Sequence, residues 1–466
     1  FLLLAVVLFS CGKGTLDNAE NAFGRYVSSS DSIIYAGSAD LASIIEKTNY
    51  KSDEKINALV DEMISNINKA IDIKKPVYFT LRGALDDDVQ ATVFFDVVGE
   101  KEMTSLLKKN GFLVKKKDKL NYAIQDDQFI FFTNKYGVAY NANTMDEYTE
   151  ADVLAFEKKL QDASGSSNEL SKLCTVKGDL VLIGDLHVAL ETNRTDLSKL
   201  PEAVRKKLYD LYKGGYNRII INSEKGYLDV AGEMIGSKEL KSYFKASSSK
   251  MDASNLGAGN ALAGIFINID TKKLSEFLNT YLPGVTEEAL ANINNSVLGA
   301  YKLADSDFSK FSNGHMAVTL TGDAKKLVMG AMPQVNIFAG YGSMGGAFNS
   351  MIESELSKKD FKTLSMNDKF IKASTAENAF GGGKTIYPSY VKNYESEMFT
   401  MFVDVQQLGV KDFGGFMSAF ETLKYIYATG NADKTSFRIY TTEDNKNFLQ
   451  TALETAIKVQ EKMANP

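Results

Sequence analysis

Four stretches of the chain share one pattern of apolar and polar positions. Ile33–Ala39 runs into Asp40 and then Ile44 and Ile45; Leu180–Gly184 runs into Asp185 and Val188; Gly264–Ile269 runs into Asp270, Leu274 and Phe277; Phe399–Val403 runs into Asp404 and Leu408. The pattern predicts a strand ending on an Asp whose carboxylate accepts the first N–H groups of a following helix. A second pattern is an alternating strand, a turn and an amphipathic helix with early basic residues. It occurs at Ala91–Gly99 before Lys101, Tyr227–Gly236 before Lys238, Met316–Gly322 before Lys325 and Phe437–Thr442 before Lys446. A third is a hairpin, predicted over Tyr122–Ile130 around Asp126 and Asp127 and over Thr363–Ile371 around Asn367 and Asp368.

The patterns keep their order in both halves of the chain. They predict an α+β protein of largely antiparallel sheets with packed helices, internally duplicated, each half holding two β-α-β-β-α units around a middle hairpin. The expected halves are 31–245 and 261–466. Residues 246–260, rich in Ser, Gly and Ala around Asp252, are expected to be a surface linker. Helices are predicted at Ser52–Ile71, Leu200–Tyr212, Thr286–Val297, Ala347–Leu356, Phe413–Tyr427 and Asn445–Lys462.

The beginning of the sequence carries an address. Phe1 to Phe9 are apolar throughout, and Ser10 and Cys11 follow. The run is short of the about 20 residues a membrane-crossing helix needs and fits the apolar region of a signal peptide. Neither Met nor a basic leader precedes it, so a few more residues are expected ahead of it. Leu8, Phe9, Ser10 and Cys11 have the form of a bacterial lipobox. The expectation is a signal peptide over 1–10, a lipid on the Cys11 thiol after cleavage, and a polar tether over 11–30. Two or three acyl chains make such an anchor lasting. Gly12 stands where an Asp would retain some Gram-negative lipoproteins at the inner membrane, so the outer membrane is expected. Lys13 and Thr15, with Asp17 alone, do not form the acidic cluster of surface-exported lipoproteins, which points to the periplasmic face.

Charge and composition narrow the chemistry. There are 53 Lys+Arg against 59 Asp+Glu, a net charge of −6. That balance argues against a nucleic-acid partner held by bulk positive charge. Two His, two Cys and no Trp in 466 residues leave no set of ligands for zinc or an iron–sulfur cluster. Once Cys11 is acylated, Cys174 is the remaining thiol, read as a buried structural cysteine. His187 and His315 are each placed in a strand, with no paired spacing for a metal and no G-x-S-x-G elbow to nominate a serine partner.

The remaining motifs have structural readings. Gly340, Gly342 and Gly345 spell G-x-G-x-x-G before a helix, but no strand ending in Asp or Glu follows about 20 residues on. Gly381–Thr385 ends like a phosphate loop, yet its first glycine is replaced by Asn378. Asp86–Asp88 and Asp126–Asp127 fall at predicted hairpin tips, where Asp suits the turn. Lys115–Lys117 and Lys119 could touch anionic headgroups but are read as a solvated hairpin. No catalytic, cofactor-binding or metal residue is nominated.

A lipobox followed by strand–Asp–helix modules in a duplicated α+β body resembles an uncharacterised lipoprotein family of Bacteroidetes type, a domain of unknown function. The resemblance covers nearly the whole mature chain. It implies a lipid-anchored envelope protein and carries over no catalytic residues. The functional expectation is a non-catalytic binding or scaffold protein that meets the membrane through Cys11 and takes a protein or glycan partner. The alternatives are an outer-membrane glycan or nutrient binder, which a groove lined by exposed Tyr would favour, and a hydrolase using carboxylates or a Ser near His187 or His315.

Overall fold

The computed structural model describes residues 16–52, 54–83, 89–125, 127–142, 147–163, 169–192, 197, 200–283, 308–322, 332–381, 384–408 and 421–464. Cys11 and the expected signal peptide lie outside the described residues, as do Asp86–Asp88, Asp126 and the predicted helix Thr286–Val297. The chain divides into two compact units: Phe1–Leu197 with Gly214–Ser223, and Ser198–Lys213 with Glu224–Pro466.

The first unit is built on helix α1 (Ala19–Ser29). Ala19, Ala22, Phe23, Tyr26 and Val27 recur at one helical face and are all buried. The Asn18 side chain caps the helix by accepting the Asn21 N–H at 2.8 Å. The Asp96 carboxylate accepts the Ala19 N–H at 3.2 Å. Phe23 stacks on Tyr78 with centroids 5.0 Å apart and meets Phe94 edge-on at 5.8 Å. Residues 16–30 of the expected 11–30 tether are therefore core structure. The polar letters Asn18, Glu20, Asn21 and Arg25 gave that segment a solvated look, while its apolar stripe is what packs.

The sheet beneath α1 is antiparallel throughout. Its strands are β1 (Ile33–Ala39), β2 (Val77–Arg82), β3 (Gln90–Asp96), β4 (Lys115–Lys117), β5 (Leu120–Gln125), β6 (Gln128–Phe132), β7 (Tyr136–Ala142), β8 (Leu180–Asp185) and β9 (Tyr216–Glu224). Their order is β9-β8-β1-β2-β3-β7-β6-β5-β4. Helices α2 (Leu41–Thr48) and α3 (Glu54–Ala70) follow β1, and α4 (Glu100–Lys109) follows β3. α4 sets Met103 and Leu107 on Phe95 and Phe132. α5 (Glu150–Asp162) and α6 (Glu169–Leu173) share the core of α1, and α7 (Leu186–Thr192) follows β8. The guanidinium of buried Arg25 donates to the carbonyls of Leu160 and Gln161, each at 3.3 Å. A cation thus faces the negative end of α5.

The second unit holds α8 (Glu202–Tyr212), β10 (Tyr227–Ile235), α9 (Lys238–Tyr243), β11 (Gly259–Asn268), α10 (Thr271–Tyr281), β12 (Ser312–Thr321), β13 (Gln334–Tyr341), α11 (Asn349–Ser357), β14 (Thr363–Met366), β15 (Phe370–Ser374), β16 (Thr385–Ile386), β17 (Phe399–Val403), β18 (Leu423–Gly430), β19 (Lys434–Thr441) and α12 (Phe448–Ala464). The order is β10-β19-β18-β17-β11-β12-β13-β15-β14, antiparallel, with β16 parallel to the start of β11.

The fold is α+β. Seven strands of the first unit, β9-β8-β1-β2-β3-β7-β6, have the same neighbours as β18-β17-β11-β12-β13-β15-β14 in the second. By neighbour relations β12 matches β2, not β3 as its sequence pattern suggested. The β14–β15 hairpin likewise matches β6–β7 rather than β5–β6, because among the described residues the first unit's meander has two strands more, β5 and β4. Two boundaries also differ from expectation. The units divide at 223 and 224 because β10 is hydrogen-bonded along β19, from Tyr227 opposite Tyr440 to Glu233 opposite Lys434. The supposed linker 246–260 is packed, with Met251, Ala253 and Leu256 buried against Phe266, Phe338 and Phe402. Of the predicted helix Phe413–Tyr427, residues 423–427 are strand β18; the alternating Leu423, Tyr425 and Tyr427 suit a pleat. Residues 409–420 lie outside the described residues.

Truncating Phe23 removes a ring wedged between Tyr78 and Phe94. Phe23→Ala is expected to cost on the order of 3–5 kcal/mol in denaturant unfolding, whereas Met63→Ala, at an exposed position of α3, is expected to change stability by less than about 0.5 kcal/mol.

Candidate functional site

A concavity lies in the first unit, between α2, α3 and the turn 71–74. Asp40 begins it by accepting the Ser43 N–H at 2.9 Å and capping α2. The polar face of α2 is then tied down: Asp179, buried, accepts from Ser43 Oγ at 2.7 Å, from Lys47 Nζ at 2.7 and 2.8 Å, and from the Ser223 N–H at 2.6 Å. Asn49 adopts a left-handed φ of 46° that ends α2 and turns the chain towards α3. Tyr50 is buried at this corner and donates its hydroxyl to Asp61 at 2.6 Å, a bond that raises the phenol's pKa.

With its polar side pinned, α2 leaves Ala42 and Ile45 facing a groove of about 880 Å³. Ile64 of α3, Ile71, Ile73 and Val98 complete its apolar surface, and Glu46, Lys51, Asp72 and Lys74 stand along its margin. Val98 is 57% exposed. The volume is that of a small-molecule site. Its apolar lining is suited to holding an apolar group. In the sequence only the isoleucines at 45, 71 and 73 hint at it, since the groove depends on two helices and a turn meeting.

Three of the four strand-terminal Asp residues cap helices, and Asp404 caps the turn 405–408. Asp185 accepts from the His187 and Val188 N–H groups at 3.0 and 3.1 Å, Asp270 from Lys272 and Lys273 at 3.1 and 3.2 Å, and Asp404 from Gln407 at 3.0 Å. Cys174 is buried, its thiol donates to the Leu170 carbonyl at 3.3 Å, and burial pushes its pKa up to about 12. His187 lies on α7, not in a strand, with Nε2 3.5 Å from Glu191. Among the described residues no group of His, Cys, Asp and Glu is arranged to hold a metal.

His315, at the start of β12 as expected, comes within reach of a serine. Its Nε2 is 3.1 Å from Ser249 Oγ and 3.2 Å from the Ser249 carbonyl oxygen. A carbonyl can only accept, so the Nε2 proton belongs to that bond, and this nitrogen is not free to take a proton from Ser249 Oγ. Burial lowers the imidazole's pKa. The two histidines belong to different units.

The glycine motifs are also committed internally. The Gly342 N–H donates to Phe311 and the Met344 N–H to Lys310, at 3.0 and 2.7 Å. A Cβ on Gly342 would sit 2.1 Å from the Ser309 carbonyl. These glycines permit close packing instead of cradling phosphate. Thr385 is buried, accepts from the Leu256 N–H and donates to the Gly257 carbonyl, both at 2.7 Å. Lys116 pairs with Glu100 and Lys117 with Glu150, each at 2.7 Å, so two cations of the basic run are already answered.

Tyrosines do cluster in the second unit. Tyr390 stacks on Tyr425 at 3.7 Å and 6°, Tyr425 on Tyr440 at 4.2 Å, and Tyr440 on Tyr227 at 5.1 Å. The Arg438 guanidinium lies 5.4 Å from the Tyr227 ring while its Nε donates to Asp229 at 2.6 Å. Burial holds the Tyr390 phenol well above its usual range and raises Tyr425 to about 12. A sugar stacks on a free ring face, and within this ladder the faces are spent on neighbouring rings.

No family model matches the sequence, and no curated protein matches it. Among solved structures, crystal form III of TP0453 is similar over 48% of this chain and 80% of that chain, at 11% identity and a TM-score of 0.29. Crystal form I is similar over 52% and 83%, at 10% identity and 0.28.

His315 generates a pH dependence. Its folded pKa lies below the 6.5 of the free side chain, so the unfolded chain binds the extra proton first. The neutral ring's contribution is full above pH 6.5, declines as pH falls through 6.5, and levels off below the lowered folded value. Denaturant unfolding at pH 7.5 and 5 is expected to show a smaller loss of stability in His315→Gln than in the wild type; equal losses would contradict the assignment.

Proposed function

We propose that this protein is a non-catalytic binding protein of the cell envelope, anchored by a lipid on Cys11 and taking its ligand in the α2–α3 groove. The observation that carries the reading is the groove itself: about 880 Å³ with an apolar surface of Ala, Ile and Val and charges of both signs on its margin. Such a surface binds by excluding water from apolar groups. The lipobox spelling of Leu8 to Cys11 supports the anchor, and the outer membrane, periplasmic side, is the location proposed with it. Among the described residues no helix is long and apolar enough to cross a membrane.

In cells carrying the Cys11→Ala chain, the protein is expected to move from the membrane fraction to the soluble fraction. In intact wild-type cells it is expected to resist added protease until the outer membrane is opened. Retention of Cys11→Ala in the membrane fraction would sink the anchor, and digestion on intact cells would move the protein to the cell surface.

A further inference from the structure

We infer that the α2–α3 groove receives an acyl chain of a zwitterionic phospholipid from the bilayer that holds Cys11. The inference rests on the anchored reading above and names the ligand class for the same groove.

The first argument is distance along the chain. The core begins at Leu16, which packs against the first unit's interior, and the Ala19 N–H is fixed on Asp96 at 3.2 Å. Five peptide steps separate Cys11 from Leu16, a reach of at most about 18 Å. The Asp96 carbonyl in turn accepts the Asp72 N–H at 2.9 Å, and the Val98 N–H donates to Ala70 at 2.9 Å. Asp72 and Val98 both line the groove. The point where the anchored chain enters the core and the wall of the groove are thus one hydrogen-bonded corner, and an acyl anchor on Cys11 holds that corner beside a bilayer.

The second argument is surface chemistry. α2 contains no buried residue although it carries Leu41, Ile44 and Ile45, and Met63 and Val98 are 56% and 57% exposed. Of these, Ile45 and Val98 line the groove together with Ile64, Ile71 and Ile73, and apolar side chains left partly wet there are stabilised by a chain that removes their water. The lining carries two cations, Lys51, which also faces Asp61 at 3.9 Å, and Lys74, and two anions, Glu46 and Asp72. A phosphate and an ammonium in one headgroup match both signs, whereas a free fatty acid brings only the negative one.

The test uses the full acylated chain in vesicles of a zwitterionic phospholipid with a photoactivatable diazirine in its acyl chain, with adducts mapped by peptide mass spectrometry. Adducts are expected on the peptides carrying Ile45, Ile73 and Val98. Val98→Asp, at an exposed position, and Ile45→Asp are each expected to reduce them by about tenfold, since a carboxylate set in an apolar wall must be desolvated as the chain enters. Unchanged thermal unfolding shows that each variant is folded. Adducts that fall equally on exposed Leu113 and ignore both variants would overturn the inference, and so would equal labelling by a photoactivatable free fatty acid. The mass of the N-terminal peptide separates the two claims. An acylated Cys11 without groove adducts defeats the inference alone. An unmodified Cys11 defeats the anchor reading, and the groove is then judged on the His-tagged Cys11→Ser chain held by a nickel-chelating lipid, where missing groove adducts again defeat it.

Discussion

The seating of α1 in the first core is the constraint on which the functional account depends. One carboxylate, Asp96, fixes the first N–H of that helix; one guanidinium, Arg25, ties the middle of the helix to the end of α5; and Phe23 and Tyr26 fill the space between. Asp96 is buried, and that burial raises its pKa, because the charge has lost more water than Lys75 and the Ala19 N–H return to it. A helix held this way is not a spacer. It leaves only a handful of residues between Cys11 and the folded body, and under the proposed anchor that short link decides which surface of the first unit lies near the membrane.

The same economy runs through the rest of the molecule. Groups with chemical potential are spent on holding irregular backbone to sheets. Asp179 binds α2 through Ser43 and Lys47. In the second unit Asn336 donates to Thr321 Oγ1 at 3.0 Å and accepts from Ser374 Oγ at 2.7 Å, while Thr319 and Thr385 bond the carbonyls of Leu256 and Gly257. A buried polar network is favourable only when its members are satisfied, and this one fixes the 251–258 segment on the sheet.

What could be read from sequence was the part governed by local rules. Asp40, Asp185, Asp270 and Asp404 were legible as caps because a strand-terminal Asp needs only its next few residues to act. The α+β class followed from periodicity; helices α1, α5 and α6 did not. The errors arose where packing at long range decides. Residues 16–30 read as a tether because polar letters outnumber the apolar stripe that binds the core. Residues 246–260 read as a linker because small residues suit both loops and close packing against a sheet. The matches of β12 and β14–β15 differ from those of their sequence patterns because strand neighbours are set by long-range pairing that local alternation does not encode. The groove was not legible, since its wall joins positions 42, 73 and 98.

Amide hydrogen exchange across α1 is the measurement that tests this account most directly. If α1 is core, the amides of Phe23 to Ser29, whose partners are helical carbonyls, exchange as slowly as those of β1 and β3, near the global unfolding limit. Exchange of those amides at the rate of an open chain would return residues 16–30 to a tether, lengthen the reach from Cys11, and remove the reason for placing the groove at the membrane.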